Sequence, residues 1–224
     1  MTLSQKSQKI KGLRDLTAAP LCDCARALEL SKGDIDAATY ILRELGFTRM
    51  RGRTKSQNHA FVTCYTHHNK QIGVMVEIHT ETDFCAQTEE VKNFAHQLAM
   101  HIAASRPLYI GWQDVTTPMR QQWEDEAIRH VKSKHHSMTK VEKEKIYRSR
   151  MHKYIQQNCL LHQLFICDEK IQRRIEEVIA DLCNKTGERI TVSRFTYFEA
   201  GGESVSASSE KLSNRKTDNN VGSC

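Results

Sequence analysis

The segment "QIGVMVEIHTETDFCAQTEEVKNFAHQLAMHI", residues 71 to 102, decides the fold, because its apolar period changes from two to nearly four within one stretch. Residues 71 to 79 alternate apolar and more exposed side chains, which is typical of a strand with one buried face. From residue 88 onward, apolar residues recur every three or four positions, at Val91, Phe94, Leu98 and Ile102. This spacing predicts an amphipathic helix that covers the strand.

Between these two patterns, the turn "HTETDFCAQ", residues 79 to 87, places the bulky apolar Phe84 directly after the charged Asp83. Two interpretations are open. Phe84 either folds back to cap the core or projects into water as a wedge for another protein. The local pattern alone favours the first interpretation, since a large aromatic side chain is normally buried.

Working outward, a strand at 60 to 66 and the strand at 71 to 79 flank "HHNK", which is short enough for a hairpin. Further helices are predicted from Thr117 onward, from 140 to 157, and from Ile171 to Leu182, and a last strand follows in "ITVSRFTYFE". Strands interspersed with helices, two of them in a hairpin, predict an α+β fold in which a small antiparallel sheet is packed with helices.

The N-terminal region, residues 1 to 47, reads as three short helices with their own cap and stop signals. Each has an apolar face, and Gly46 is predicted to end the third helix. The three faces consist of Ile10, Leu13 and Leu16; Leu21, Ala25 and Leu28; and Ile35, Ala38, Ile41, Leu42 and Leu45. The predicted organisation is a three-helix docking domain at 1–47, a basic linker at 48–58, an α+β core with a helical arm and a C-terminal strand at 59–202, and a disordered polar tail at 203–224.

Composition limits the function classes. The 224 residues carry a formal net charge of +6, and no stretch interleaves basic and aromatic residues as RNA-binding signatures do. We therefore expect no direct nucleic-acid binding. No apolar run approaches the ~20 residues that span a bilayer, and "MTLSQKSQKIK" at the start lacks the apolar run of a secretory signal. We expect a cytoplasmic protein without membrane contact, whose eight cysteines are free thiols.

Signatures of catalysis or ligand binding are missing from the sequence. Eleven histidines and the pair of cysteines in "CDC" lack zinc-ligand spacing, no GxSxG motif marks a nucleophile, and no GxxxxGK[ST] loop is present to cradle phosphate. We therefore predict no metal site, no cofactor and no enzymatic activity. An enzyme with a cysteine nucleophile is the most distant alternative.

Four signatures, in order, resemble the translation elongation factor Ts family from about residue 9 to residue 202. "IKGLRDLTAAPLCDCARALELSKGDIDAATYILRELGF" is similar to the family's ubiquitin-associated-like helical domain, and "GVMVEIHTETDFCAQ" resembles its TDF signature. "CLLHQLFI" and "GERITVSRFTYFEAG" resemble its C-terminal signatures. The chain looks like the short form of the family, with one core module.

The resemblance implies a guanine nucleotide exchange factor that binds the GTPase elongation factor Tu with GDP and promotes GDP release by displacing magnesium. It implies that the segment Thr82, Asp83, Phe84 and Cys85 enters the GTPase, so that Phe84 is the wedge. The helical domain is implied to dock through Arg14, Leu21 and Cys22. Read without the family, these three residues are respectively a solvated charge, a core residue and a small buried thiol.

The sequence departs from the family pattern at four positions, two of them among these implied contacts. Cys22 stands where an unbranched apolar residue is usual, Cys85 replaces a valine, His162 replaces an acidic residue and Leu164 replaces a proline. The resemblance also implies that a short form completes its binding surface as a homodimer. The alternative function is a non-catalytic module that binds RNA or another protein, without exchange activity, through its helical domain and basic linker.

Overall fold

The computed structural model describes residues 3–51, 59–134, 139–168, 172–202 and 204–209. Its helices and strands are, in chain order, α1 (Leu3–Thr17), α2 (Leu21–Leu30), α3 (Ile35–Arg51), β1 (His59–Thr66), β2 (Ile72–Thr80), α4 (Asp83–Gln87), α5 (Glu89–Ser105), α6 (Thr117–Lys134), α7 (Lys140–Asn158), α8 (Ile175–Thr186), β3 (Thr191–Glu199) and β4 (Val205–Ser208). An antiparallel sheet with helices before its first strand and between its second and third strands confirms the predicted α+β class.

The four strands form one sheet in the order β1-β2-β3-β4, and every neighbouring pair is antiparallel. On β2 the alternating side chains Val74, Val76 and Ile78 are buried, as their period predicts. The apolar stripe of α5 is buried in the same core, and α8 contributes to it through Ile175 and Ile179. The opposite face of the sheet carries exposed apolar side chains, at Val62, Met75 and Phe198.

The N-terminal helices enclose a second, smaller apolar cluster that includes Leu13, Cys24, Leu28 and Leu42. Three residues predicted to lie on buried faces are instead exposed, and one of them is Ile35, the first residue of α3. Leu16 lies in the last turn of α1 and is 73% exposed, and Leu21 begins α2 and is 51% exposed. The buried face of α2 consists of Cys24, Ala27 and Leu28, so the apolar residues at helix ends extend beyond the cluster.

Gly46 does not end α3, contrary to the sequence-based prediction, because the helix continues to Arg51. A Cβ at this position would clash with the carbonyl oxygen of Ala180 and would lie 2.5 Å from Nδ2 of Asn184. Glycine therefore permits close packing of α3 against α8. Beyond it, Met50 is buried in the main core, so the predicted linker is wrong for residues 48–51. Residues 52–58 of that linker lie outside the described residues.

The polar C-terminal segment also differs from its prediction. Residues Val205–Ser208 form β4 and pair with β3, and Ala207 is 8% exposed within the main core. The predicted disorder from residue 203 is therefore wrong for the described residues 204–209. The remainder, residues 210–224, lies outside the described part of the chain.

Helices α6 and α7 pack together around a third apolar cluster. Trp123 of α6 stacks on Tyr154 of α7 with ring centroids 5.8 Å apart, and Val115 and Cys159 are buried beside them. Within the described ranges, no helix is both long and apolar enough to span a membrane.

Candidate functional site

The segment that carries Asp83 and Phe84 is a short helix rather than the loop expected from the sequence. Thr82 has an extended backbone at the N-cap position, and its Oγ1 accepts a hydrogen bond of 3.1 Å from the backbone N–H of Cys85. The Thr88 hydroxyl closes the other end by donating to the carbonyl oxygen of Cys85 at 2.8 Å. Threonine at an N-cap stabilises a helix start by about 1 kcal/mol, so this geometry follows from the local sequence.

Phe84 projects away from the protein. Its side chain is 80% exposed, while the next two residues, Cys85 and Ala86, are buried. The carboxylate of Asp83 accepts a hydrogen bond of 2.8 Å from the backbone N–H of Phe84, so this carboxylate satisfies a free donor of the first turn. In the structure of the free chain, therefore, Phe84 does not cap the core.

Glu188, which is distant in sequence, holds the start of this short helix in place. Its carboxylate accepts hydrogen bonds from the backbone N–H of Thr82 at 3.0 Å and from the Thr82 hydroxyl at 2.7 Å. Glu188 follows Gly187, whose φ of 73° ends α8 in the left-handed conformation. Sequence reasoning missed Glu188, because nothing in a local pattern relates two residues 106 positions apart.

Cys85 was expected among the partner contacts, but its side chain is 2% exposed and belongs to the main core. Burial, with the nearby Glu188 carboxylate as the next contribution, raises the pKa of its thiol to about 12. The thiol is therefore protonated at neutral pH. In the free chain, Cys85 therefore anchors α4 in the main core.

The residues predicted for the helical domain lie at the junction of α1 and α2. Arg14, Leu21 and Cys22 are all exposed, whereas Leu13 and Cys24 beside them are buried. The buried residues hold this junction in place, and the exposed ones face solvent. The exposed thiol of Cys22 contrasts with the small buried thiol expected without the family.

These two groups of predicted site residues are brought close to one another by the turn after α8. A Cβ built on Gly187 would lie 3.8 Å from Cγ of Pro20, the residue immediately before Leu21. Glu188, the next residue along the chain, binds Thr82. The start of α2 and the start of α4 are therefore both adjacent to one two-residue turn.

A polar contact region, which we call the α3/α8 seam, connects the helical unit to the core. Nη2 of Arg49 donates to Asp23 at 2.6 Å, and Nη1 of the same side chain donates to Asn184 at 3.3 Å. Asn184 in turn donates to the carbonyl oxygen of Leu42 at 2.6 Å. With Gly46, these residues join α2, α3 and α8 and so position Leu21 and Cys22.

The two C-terminal departures lie on the segment between α7 and α8. Nδ1 of His162 is 3.6 Å from Glu176 of α8, and the side chain of Leu164 is half exposed. An acidic residue at position 162 would face Glu176 with the same charge, so histidine is compatible with this local geometry.

Groups suited to chemistry are sparse in the described ranges. Histidine, cysteine and carboxylate side chains form no group of three or more that could hold a metal ion there. Burial raises the pKa of the Cys159 thiol to about 12 and that of the Cys183 thiol to about 11, which leaves both thiols poor nucleophiles at neutral pH. The prominent feature is instead a pair of exposed helix starts.

Comparison with known proteins identifies the family. A family model described as "Elongation factor TS" matches residues 7–173. The chain is 37% identical over 195 residues to the elongation factor Ts of Thermotoga petrophila, a match that covers 86% of this chain and 94% of the relative. It is 36% identical over 193 residues to that of Moorella thermoacetica, with 86% and 93% covered. The elongation factor Ts of Koribacter versatilis is 38% identical over 203 residues, with 89% and 91% covered. Because the family model matches most of the chain and these relatives align along nearly their whole length, the chain belongs to the elongation factor Ts family of translation elongation factors.

Proposed function

We propose that this chain is a guanine nucleotide exchange factor that binds elongation factor Tu with GDP and accelerates GDP release. The observation that carries the proposal is Phe84, an aromatic side chain that is 80% exposed on a helix start held by its neighbours. An exposed phenyl ring does not stabilise the free chain, whereas its burial by a partner contributes roughly 1.5–3 kcal/mol to the free energy of binding.

The proposed mechanism is coupling between two binding events. The exchange factor and GDP each bind the GTPase, and each weakens the affinity of the other by the same factor. Insertion of Phe84 stabilises a GTPase conformation in which the magnesium site is displaced. Loss of this divalent charge then removes much of the attraction that holds the diphosphate. The exchange factor itself makes and breaks no bond.

Pre-organisation supports this role for α4. Thr82 is held by Glu188 through two hydrogen bonds, and Cys85 is anchored in the core, so the backbone that carries Phe84 is fixed before the partner arrives. A fixed contact loses less conformational entropy on binding than a mobile loop does. Asp83 lies at the same helix start and, in this proposal, accompanies Phe84 into the GTPase.

A second contact is proposed at the start of α2. Leu21 is half exposed and Cys22 is exposed, with Arg14 nearby in sequence on α1. Cys22 has a shorter side chain than the apolar residue usual in the family. This contact therefore buries less apolar area than a typical member's would, and its contribution to affinity is correspondingly smaller.

We further propose that two copies of the chain associate through the open sheet face, defined by Val62, Met75 and Phe198. Each of these side chains is more than half exposed, and next to them Nε of Arg194 lies 2.6 Å from Glu77. Apolar residues in the centre with a charged pair beside them are suited to a self-complementary interface. Met75→Asp should convert a dimer to a monomer in light scattering, and a wild-type chain that is monomeric at micromolar concentration would contradict the proposal.

The exchange activity is tested by stopped-flow release of fluorescent GDP from elongation factor Tu, with excess unlabelled GDP as the trap. Addition of this protein should accelerate release in a saturable way. Binding to elongation factor Tu without acceleration, or salt-dependent RNA binding alone, would instead support a non-catalytic module.

A further inference from the structure

The two sides of α7 differ in chemistry. Its apolar residues Met151, Tyr154 and Ile155 pack against α6 in the third cluster. Its outer side is basic, because the helix carries no aspartate or glutamate from Lys145 to Asn158. Helix geometry places Lys145 and Lys153 on this outer side and Arg148 at its margin, and all three are exposed. We name these three residues the α7 basic face.

The charges of the α7 basic face are largely available to a ligand. Lys145 and Lys153 form no ion pair within the part of the chain that the structure describes. Among the described residues, Arg148 pairs only with Glu144, at 3.0 Å, through side chains that are 77% and 56% exposed. An exposed pair of this kind contributes at most about 1 kcal/mol and is easily exchanged for a stronger anion.

Two neighbouring features extend this face. A shallow groove beside α7 is lined by Lys145, Ile146, Ser149, Arg150 and Lys153, so a hydroxyl donor lies between cationic groups. Toward the end of the helix, Nη2 of Arg174 lies 3.1 Å from Nε2 of the exposed His152. A guanidinium group is thereby held beside the outer side of α7, although its Nη1 also lies 3.8 Å from Glu176.

The chemistry of the face selects among anionic partners. A membrane-surface helix needs an apolar side to insert, but the apolar side of α7 already packs on α6. A protein partner normally buries an apolar centre, and the only exposed large apolar residue of α7 is Val141, at its N-terminal end. Phosphodiester backbones require neither, because lysine and arginine bind them mainly by charge.

We propose that the α7 basic face binds the phosphate backbone of RNA. RNA is the polyanion that accompanies translation, the process in which this family acts. Lys145 and Lys153 are about 12 Å apart along the helix axis, at ~1.5 Å per residue. At about 3.4 Å per nucleotide, this distance spans three or four nucleotides. This proposal departs from the expectation from composition that the chain does not contact nucleic acid, and it does not depend on exchange activity.

The test measures fluorescence anisotropy of a labelled 20-nucleotide uridine RNA with the full chain between 50 and 300 mM KCl. The triple variant Lys145→Glu, Arg148→Glu, Lys153→Glu is compared with a control triple, Lys11→Glu, Arg26→Glu, Lys92→Glu, whose three cations are also exposed. Each triple reverses three charges and brings the formal net charge from +6 to zero. Any difference between them therefore reports the position of the charges rather than their sum.

We expect the wild type to show a slope of about −2 in log affinity against log salt concentration, which corresponds to roughly three phosphate contacts. The α7 triple should lose more than about tenfold in affinity at the lowest salt, and the control triple should lose far less. Equal losses in both triples would overturn the proposal, as would full retention by the α7 triple. Displacement of RNA by polyglutamate as effectively as by unlabelled RNA would mean that the face recognises acidic protein instead. If circular dichroism shows that the triple is unfolded, the milder Lys145→Gln, Lys153→Gln double variant is subject to the same criteria.

Discussion

The start of α4 and the start of α2 both present an exposed apolar side chain, but they are attached to the molecule in different ways. Phe84 is attached through Thr82 and Cys85, which lie one or two residues away and are fixed by Glu188 and by the main core. Leu21 belongs to a helical unit with its own apolar cluster, and the polar α3/α8 seam connects that unit to the core. The position of Leu21 therefore depends on how a helical unit packs against the core, whereas the position of Phe84 depends on contacts that the residues beside it make, one of them to the distant Glu188.

Two glycines of the N-terminal helical unit provide the most severe test of its attachment, with the largest expected effect. Gly46→Ala should destabilise the protein by about 3 kcal/mol, because the new methyl group collides with the backbone of Ala180 in the seam. Gly12→Ala is the matched control in α1, where nothing lies within 4 Å of the added Cβ, and it should gain about 0.5–1 kcal/mol from helix propensity. Denaturant titration of both variants measures the difference. A Gly46→Ala protein as stable as wild type would show that the seam is looser than described.

Removal of the α4 side chain should separate function from stability. Phe84→Ala should slow factor-stimulated GDP release roughly 10- to 100-fold, the equivalent of about 1.5–3 kcal/mol, and leave the melting temperature nearly unchanged. Tyr40→Ala, on α3, is the control, since it removes another aromatic side chain that is 64% exposed and lies outside both proposed contacts. Unaltered release kinetics for Phe84→Ala would exclude the wedge mechanism.

The seam should affect the concentration dependence of exchange rather than its limiting rate. Asp23→Asn weakens the ion pair with Arg49, whose side chains are 15% and 23% exposed, and should cost roughly 1–2 kcal/mol of stability. Because the start of α2 is then less well positioned, the half-saturating concentration in the GDP-release assay should rise several-fold, while the rate at saturation should stay near that of wild type.

A fall in the saturated rate, equal to that of Phe84→Ala, would show that the two regions act as one contact. A higher half-saturating concentration with an unchanged saturated rate would instead show that the two regions act separately. Leu21→Ala, which leaves the seam intact, should reproduce the rise in half-saturating concentration without the loss of stability. If Leu21→Ala has no effect while Asp23→Asn does, the seam is structural only.

The charge beside Phe84 should matter less than the ring. Asp83→Asn preserves an oxygen that can accept the hydrogen bond from the backbone N–H of Phe84 and removes only the charge at a helix start, worth about 0.3–1 kcal/mol. We expect a two- to fivefold slower release of GDP at low salt, with a smaller effect at high salt. A loss larger than that of Phe84→Ala would assign Asp83 the leading role in the GTPase.

The smallest effect is expected from removal of residues 210–224. A chain ending at Ser209 keeps β4 and should retain its stability to within about 0.5 kcal/mol and its full rate of GDP release. A chain ending at Gly202 lacks β4, which pairs with β3 and buries Ala207, and should be less stable by roughly 1–2 kcal/mol. Thermal melts of the two truncations, run together, separate the strand from the residues that follow it. Loss of exchange in the longer chain would assign a contact to residues 210–224.

The elements whose signals are local could be predicted from the sequence. The alternation in β2 and the stripe of Val91, Phe94, Leu98 and Ile102 in α5 follow from the geometry of a single strand and a single helix, and both are confirmed. The identity of the family could likewise be inferred from ordered motifs. Leu16 and Leu21 were misjudged because an apolar residue at a helix end has the right period but no partner element above it.

Three features depended on residues that meet only after folding. Glycine is typical of a helix end, yet Gly46 lies inside α3. Its lack of a side chain serves the close approach of Ala180, which is far along the chain. β4 is too polar for hydrophobicity to reveal it, and it forms because β3 offers an open edge. Glu188 supports Thr82 across 106 residues. These three features are set by tertiary contacts rather than by local propensity.

By itself, therefore, the sequence determined the α+β class, the main helices and strands, and the family, because periodicity and ordered motifs are properties of the chain alone. Only the tertiary structure decided that Phe84 is exposed while Cys85 is buried, and that the starts of α2 and α4 flank the same turn. The physical reason is that exposure is set by the elements that cover a residue. Of two neighbouring residues, one can be buried and the other exposed, because their packing partners lie elsewhere in the sequence.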